Sequence, residues 1–288
     1  MHVEEFSVNK KQKVSEAIAC AYPSLTYNFI RKLIRQKDVK VNGKRIGQDI
    51  ALNIGDAIVF YINEKPEARL DVIFEDENLI IVFKPRKIET VSESQEEDLL
   101  LRVEKYLGQK CYAVHRLDRN TEGLVVFAKN DNAKKSLDVA LKNRTIEKYY
   151  LAIVYGKLEK SADNLVAYLK KFPDKSFVDV SDTCKNSYQK IQTNYKVLKV
   201  VDDCSLVEVE LVTGRTHQIR AHFAHIGHFV IGDEKYGDSS INKFYKKKYQ
   251  CLCAYKMIFH FAENDYLSYL EGKEIELDKN KIEFCQNL

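Results

Sequence analysis

Val114-His115-Arg116-Leu117-Asp118-Arg119-Asn120-Thr121-Glu122-Gly123-Leu124-Val125-Val126-Phe127-Ala128-Lys129 changes character at its centre. Its first half is a polar, charge-dense turn. From Gly123 to Ala128 it is an apolar run of strand type, which reads as a buried strand and pins the charged groups of the turn at the mouth of a sheet. Asp118 lies between Arg116 and Arg119, with Val114 and Leu117 available to anchor the loop. A carboxylate between guanidinium groups is held in its ionised form, ready to act as nucleophile or base. An isolated R-L-D-R string is commonly nothing more than a surface ion pair, so the rest of the chain has to decide.

On the C-terminal side, Asn132 to Leu141 reads as a helix. Ile146 to Tyr155, Tyr188 to Val200 and Leu206 to Val212 read as strands, the last two alternating as an antiparallel pair does. Thr216 to Gly227 reads as a helix with Ile219, Phe223 and Ile226 on its apolar stripe and Arg220 at the edge, a buried stem with a charged head. Gly232 to Gly237 reads as a loop. On the N-terminal side, Val72 to Phe74 and Leu79 to Phe83 read as strands, the second ended by Lys84-Pro85, and Glu96 to Leu107 as a helix with Leu100, Val103 and Leu107 aligned. Many strands with few helices predict an α+β fold with a mixed, largely antiparallel sheet.

Gln12 to Tyr61 reads as a separate compact unit. A helix over Val14–Ala21 ends at Tyr22-Pro23, and Ser24 or Thr26 caps a second helix running to about Gln36. Phe29, Ile30, Leu33 and Ile34 give that helix its apolar face. Val39-Lys40-Val41, an Asn42-Gly43 turn and Ile46 form a hairpin. Between Arg31 and Arg45 stand seven cations (Arg31, Lys32, Arg35, Lys37, Lys40, Lys44, Arg45) and one anion, Asp38. Such a run is either a solvated face or a phosphate-binding one. A polar, proline-containing linker follows at Asn63 to Ala68, so the predicted division is 1–63, a linker at 64–70, and 71–288.

Composition narrows the class. With 46 basic and 42 acidic residues among 288, the net charge of +4 says little without the distribution. Seven scattered cysteines, only Cys251 and Cys253 close together, fit neither a disulfide framework nor a zinc pattern. No apolar run approaches the roughly 18 residues that span a bilayer. A cytoplasmic, monomeric protein without membrane contact is the expectation.

The residues His115 to Lys129 resemble, almost position for position, the signature of the RNA pseudouridine synthases that act on ribosomal and transfer RNA. Two other stretches match the same family. Lys148-Tyr149-Tyr150 resembles its K-x-Y element, and strand alternation puts Lys148 and Tyr150 on one face with Tyr149 on the other. Thr213-Gly214-Arg215-Thr216-His217-Gln218-Ile219-Arg220-Ala221-His222 is close to T-G-R-x-H-Q-I/L-R-x-H. The resemblance extends over about residues 70 to 262. It implies the pseudouridine synthase fold with a central active-site cleft, Asp118 as the catalytic aspartate, Tyr150 as the active-site tyrosine and Arg220 as the partner of Asp118. It further implies His115, Arg116, Arg215 and His217 as substrate contacts. Residues 11 to 63 resemble the small RNA-binding domain named after ribosomal protein S4, which implies that Arg31, Lys32, Arg35, Lys40, Lys44 and Arg45 contact RNA phosphates.

The implied reaction breaks the N1 glycosidic bond, turns the uracil in the pocket and rejoins it through C5, so no cofactor is expected. One carboxylate suffices where a glycoside hydrolase would want two. Tyr150 would stack on the uracil and later take the C5 proton; Asp118 would attack C1′ or C6, or remove the 2′ proton. The uridine must be extruded or already looped out. Two stretches depart from the family: Phe83-Lys84-Pro85-Arg86-Lys87-Ile88-Glu89-Thr90 lacks its glycine and adds charge, and Leu252-Cys253-Ala254 stands where L-H-A is usual. Large-subunit ribosomal RNA is the expected substrate, with transfer RNA the runner-up. The rivals are a metal site built from His217, His222, His225 and His228, which lacks an H-E-x-x-H pair, and a non-catalytic RNA-binding or ribosome-assembly factor. The lysines Lys243, Lys246, Lys247 and Lys248 either hold flanking RNA or are simply solvated.

Overall fold

The computed structural model describes residues 2–22, 27–62, 70–92, 98–172 and 177–285. The chain forms two compact units, Met1–Arg69 and Leu70–Leu288. The linker expected at Asn63 to Ala68, and the caps expected at Ser24 or Thr26, lie outside the described residues.

In the first unit, strand β1 (His2–Ser7) is followed by β2 (Gln12–Lys13), α1 (Val14–Ala21), α2 (Tyr27–Arg35), β3 (Val39–Val41), β4 (Lys44–Ile46), β5 (Ala51–Leu52) and β6 (Ala57–Ile62). Four strands form a sheet in the order β1-β6-β3-β4, and β2 pairs with β5. The apolar spacing of both helices is spent against it: Val14, Ile18, Ile30, Leu33 and Ile34 are buried with Val39, Ile58 and Phe60. Asn42 and Gly43 both have left-handed backbones (φ 49° and 81°), as a two-residue hairpin requires. Sequence reading missed β1, whose acidic residues hide the pattern; it pairs along the whole of β6. Gly55, at φ 91°, turns the chain between β5 and β6.

The second unit contains β7 (Asp71–Glu75), β8 (Leu79–Lys84), α3 (Leu99–Leu107), β9 (Tyr112–Ala113), β10 (Glu122–Ala128), α4 (Asp131–Asn143), β11 (Ile146–Tyr155), β12 (Ala162–Phe172) and β13 (Phe177–Ser181). It continues with β14 (Gln189–Val201), β15 (Cys204–Glu210), α5 (Gln218–His225), α6 (Ser239–Phe244), β16 (Leu252–Phe259) and β17 (Glu274–Glu276). One mixed sheet runs β13-β12-β14-β15-β11-β16-β10-β8-β7, with β17 beside β16 and β9 beside β10. It is antiparallel except where β10 meets β16. The α+β expectation is met by this large, mostly antiparallel sheet with few helices.

Every residue of β10 is buried. Leu124 and Val126 point into one apolar layer with Leu79, Ile81 and the α4 residue Leu137. Val125 and Phe127 point into the other, with Ile80, Val82, Val103, Tyr150, Ile219 and Phe223. An uninterrupted apolar run was therefore the right sign of a strand covered on both sides. Gly123 (φ 124°) lies so close to β16 that a Cβ would sit 2.2 Å from the Ala254 carbonyl oxygen. That close approach fixes the start of β10, and with it the charged turn just before.

The hairpin β12–β13 was not expected from sequence. Asp163, Asn164, Lys170 and Lys171 disguise a strand whose outer positions are exposed. The helix expected from Thr216 begins only at Gln218, because His217 has a left-handed backbone (φ 55°).

Candidate active site

The turn between β9 and β10 is held from behind before any catalytic group is considered. Leu117 is buried and donates its N–H to Thr90 Oγ1 at 3.1 Å. Thr121 N–H closes the turn on the Asp118 carbonyl at 3.0 Å. Lys84, wholly inaccessible at the end of β8, donates to the carbonyls of Pro85, Ile88 and Arg119 at 3.0, 2.8 and 3.1 Å. Burial pushes its ammonium down to about 7, while Asp118, Glu122 and Glu89 resist. Three acceptors call for all three protons of the charged form, so this lysine ties the Pro85–Ile88 loop to the aspartate turn.

Asp118 projects from that frame with a quarter of its side chain exposed. Arg220 Nη1 donates to its Oδ2 at 2.8 Å, and no described group is bonded to Oδ1. The other edge of the same guanidinium grips Asp233: Nε to Oδ2 at 2.6 Å and Nη2 to Oδ1 at 2.9 Å. Its Cζ lies 5.2 Å from the centre of the Tyr236 ring. Burial works against the charge on Arg220, but Asp233 and then Asp118 outweigh it and hold the guanidinium more firmly charged than usual. Burial likewise opposes ionisation of Asp233, yet Arg220 and the N–H groups of Lys235 and Tyr236 bring it below the ordinary carboxylate range. The result is a rigid arginine that spends two donors on orientation and one on Asp118.

The T-G-R-T-H-Q stretch owes its shape to Gln218, buried at the start of α5. Its Oε1 accepts from Thr213 Oγ1 (2.8 Å) and Arg215 N–H (3.1 Å), and its Nε2 donates to Gln192 O and Thr193 Oγ1, both at 3.0 Å. His217 occupies the position before α5 without a side-chain bond to the helix; its Nδ1 lies 2.9 Å from the Tyr236 hydroxyl and its Nε2 3.8 Å from Asp118 Oδ2. Burial lowers its pKa despite Asp118, so the ring is neutral at pH 7.

A pocket of about 1320 Å³ opens over Asp118 and is lined by Tyr150, Lys148, Arg116, Arg215 and His217, among others. Opposite Tyr149 and Tyr150 the register of β16 shifts by one residue, Lys256 pairing with Tyr149 and Ala254 with Tyr150, so the extra residue is Tyr255 of β16 and β11 keeps its own alternation. As alternation predicted, Lys148 shares the face of Tyr150, while Tyr149 turns away to donate to Glu147 at 2.6 Å. Burial first, then the charge of Asp118, raises the Tyr150 phenol well above its ordinary value, so it is protonated at rest. Burial also lowers the Lys148 ammonium.

His115 borders the pocket, but its Nε2 accepts the Val126 N–H at 3.0 Å. Here β10 has β16 beside it only at Glu122 and Gly123, and β9 only at Phe127 and Ala128; the imidazole fills the break between them. Burial drives its pKa down to about 3, and the proton of the neutral ring stands on Nδ1.

The four clustered histidines separate: His217 to Tyr236, His222 to Thr193, His225 to Asp182 and His228 to the Tyr155 carbonyl. Of the first unit's basic residues, Arg31, Arg35, Lys44 and Arg45 are exposed and Lys40 half-buried. Lys40 and Arg45 flank the Tyr61 ring at 5.1 and 5.3 Å; the Lys32 side chain is outside the described residues. Sequence reasoning missed Lys84, Asp233 and Tyr236. The signals were a lysine closing an apolar strand, and an Asp-x-x-Tyr between two glycines.

Comparison with known proteins agrees with this geometry. The family described as RNA pseudouridylate synthase matches residues 78–225. A protein named ribosomal large subunit pseudouridine synthase C from Rickettsia typhi is 32% identical, covering 89% of this chain and 89% of its own length. An uncharacterized RNA pseudouridine synthase from Aquifex aeolicus is 32% identical over 83% of this chain and 81% of its own. Among solved structures, human RNA pseudouridylate synthase domain containing 1 superposes with a TM-score of 0.57 at 21% identity, covering 76% of this chain and 95% of its own; this supports the fold.

Proposed function

The chain belongs to the RNA pseudouridylate synthase family, isomerases that turn uridine into pseudouridine within RNA, and on that premise we propose that it modifies uridines of large-subunit ribosomal RNA. The observation that carries the assignment of residues is the division of labour at Asp118. One oxygen is held by Arg220, and the other, without a partner among the described residues, faces a pocket that also contains Tyr150. This Oδ1 is the reacting atom. It attacks C1′ or C6, or removes the 2′ proton, while Arg220 keeps the carboxylate aimed.

The reaction is balanced within the substrate. The N1–C1′ bond breaks, the base turns, a C5–C1′ bond forms, and the proton lost from C5 is matched by one gained at N1, so no external reactant is called for. Tyr150 stacks on the uracil as a neutral phenol. To accept the C5 proton it would first have to lose its own, which burial and the Asp118 charge both oppose. Arg116 and Arg215, exposed at the rim, hold phosphates, and His217 borders the sugar. His115 acts on the fold, since its acceptor nitrogen is already used. The first unit serves as an S4-like RNA-binding domain through Arg31, Lys32, Arg35, Lys40, Lys44 and Arg45. Among the described residues no helix is long and apolar enough to cross a membrane, and the cytoplasm is the proposed location.

The test uses transcripts labelled with tritium at uridine C5. Release of tritium from large-subunit ribosomal RNA by the wild type, none from Asp118→Asn, and none from transfer RNA would support the reading. Release from transfer RNA alone would overturn the substrate. Absence of release from either would overturn the enzyme assignment in favour of an RNA-binding assembly factor.

A further inference from the structure

We propose that Lys87, Lys248 and the ring of Tyr249 form a phosphodiester-binding corner outside the pocket mouth, holding the RNA strand as it leaves the uridine pocket; this rests on the RNA-modifying reading above. Lys87 Nζ lies 5.1 Å from the centre of the Tyr249 ring, and Lys248 Nζ lies 5.8 Å from it. Both lysines are exposed, and neither ammonium has a carboxylate or hydrogen-bond partner among the described residues. The adjacent Arg86 shows the contrast, being spent on Glu122 and Glu283 at 2.7 and 3.1 Å. Glu89, two residues from Lys87, lines the pocket, and among the described residues it pairs with neither lysine. With no anion of its own among the described residues, each ammonium beside this ring is available to a phosphodiester oxygen.

The corner is built into the catalytic loop. Lys87 N–H donates to the Arg119 carbonyl at 2.9 Å and its own carbonyl accepts from Arg119 Nε at 3.3 Å, so it is tied to the residue after Asp118. The Tyr249 backbone is pressed against the pocket-lining Gly232, whose missing Cβ would come within 2.1 Å of the Tyr249 carbonyl oxygen. Gln250, next in sequence, is itself part of the pocket wall. Lys87 also holds a left-handed backbone (φ 71°), a conformation open to glycine and strained for lysine. Strain retained by a charged residue beside the reacting group is the pattern of a functional constraint. With Arg119 on the same rim, the corner continues the cationic track away from Asp118.

Substitution separates charge from folding, because Lys87→Gly suits the backbone it replaces. The full chain and its Lys87→Gly/Lys248→Ala variant are titrated against a fluorescein-labelled oligouridylate of about ten nucleotides over a range of potassium chloride. Leaving two phosphates of a single strand without their cations makes the slope of log affinity against log salt shallower by about 1.4. Lys87→Gly alone gives about half that change, with a melting temperature no lower than wild type. Equal slopes for wild type and double variant overturn the proposal. The titration reads binding and not turnover, so a wild type that binds with the predicted slopes and yet releases no tritium from ribosomal RNA sinks the functional reading alone.

Discussion

Arg220 and Arg45 each stand beside an aspartate, and they use it differently. Arg220 is almost wholly buried, grips the fully buried Asp233 with two bonds and offers a third to Asp118. Arg45 is half exposed and approaches Asp38 only to 3.6 Å. The first arrangement fixes a guanidinium in one orientation, and the cost of desolvating it is offset only because every partner is present. The second leaves an exposed cation, steadied by the Lys37 carbonyl at 2.6 Å and the Tyr61 ring, whose attraction for a phosphate is screened by salt. Chemistry at a single atom needs the first kind of charge, while following a nucleic-acid backbone is served by the second.

The largest effect should come from breaking the buried arrangement with charge conserved. Arg220→Lys cannot bind Asp233 side-on and reach Asp118 together, and kcat should fall by about 100-fold or more. Single-turnover kinetics at saturating RNA would reveal it; activity within about threefold of wild type would mean that orientation by Asp233 is unimportant.

A middle-sized effect is expected from acid. His115 has its folded pKa lowered to about 3, against about 6.5 for an unfolded histidine. Between those values the unfolded chain binds more protons than the folded one. Stability is therefore complete above about 6.5 and is lost as pH falls towards 3, by about 2 kcal/mol at pH 5. His222, lowered to about 4, acts in the same direction. Urea denaturation at pH 7 and pH 5 should show this loss, and His115→Gln should make the difference smaller. An unchanged difference would place the acid sensitivity elsewhere.

The smallest effect belongs to the exposed arrangement. Lys40→Ala with Arg45→Ala should weaken RNA binding several-fold and reduce the salt slope by about 1 to 2. Fluorescence titration against ribosomal RNA fragments measures both, and an unaltered slope would remove these two cations from the interface.

The same contrast explains what could be read from sequence. Asp118, Tyr150 and Arg220, which the structure brings to one pocket, could be picked out from sequence as candidates because each lies in a matching stretch whose residue types are interdependent: Gln218 organises the loop before Arg220, and Gly123 permits the close approach that fixes the turn before β10. β10 was readable because both its faces are buried. The hairpin β12–β13 was not, since its exposed half tolerates lysine, aspartate and asparagine. Asp233 and Tyr236 escaped because their significance is three-dimensional; thirteen residues beyond Arg220, Asp233 has no periodic relation to it. His115 looked like a substrate contact from its place in the motif, and only the break between β9 and β16 reveals that its acceptor nitrogen completes a sheet.

The most direct test of the central claim is pseudouridine mapping, by carbodiimide adduct and primer extension, on total RNA from cells lacking the protein and complemented with wild type or Asp118→Asn. A stop in large-subunit ribosomal RNA that disappears in the deletion strain and returns with wild type but not with Asp118→Asn is the predicted result. If every stop persists in the deletion strain, or Asp118→Asn restores the missing one, the account of Asp118 as the reacting carboxylate is contradicted.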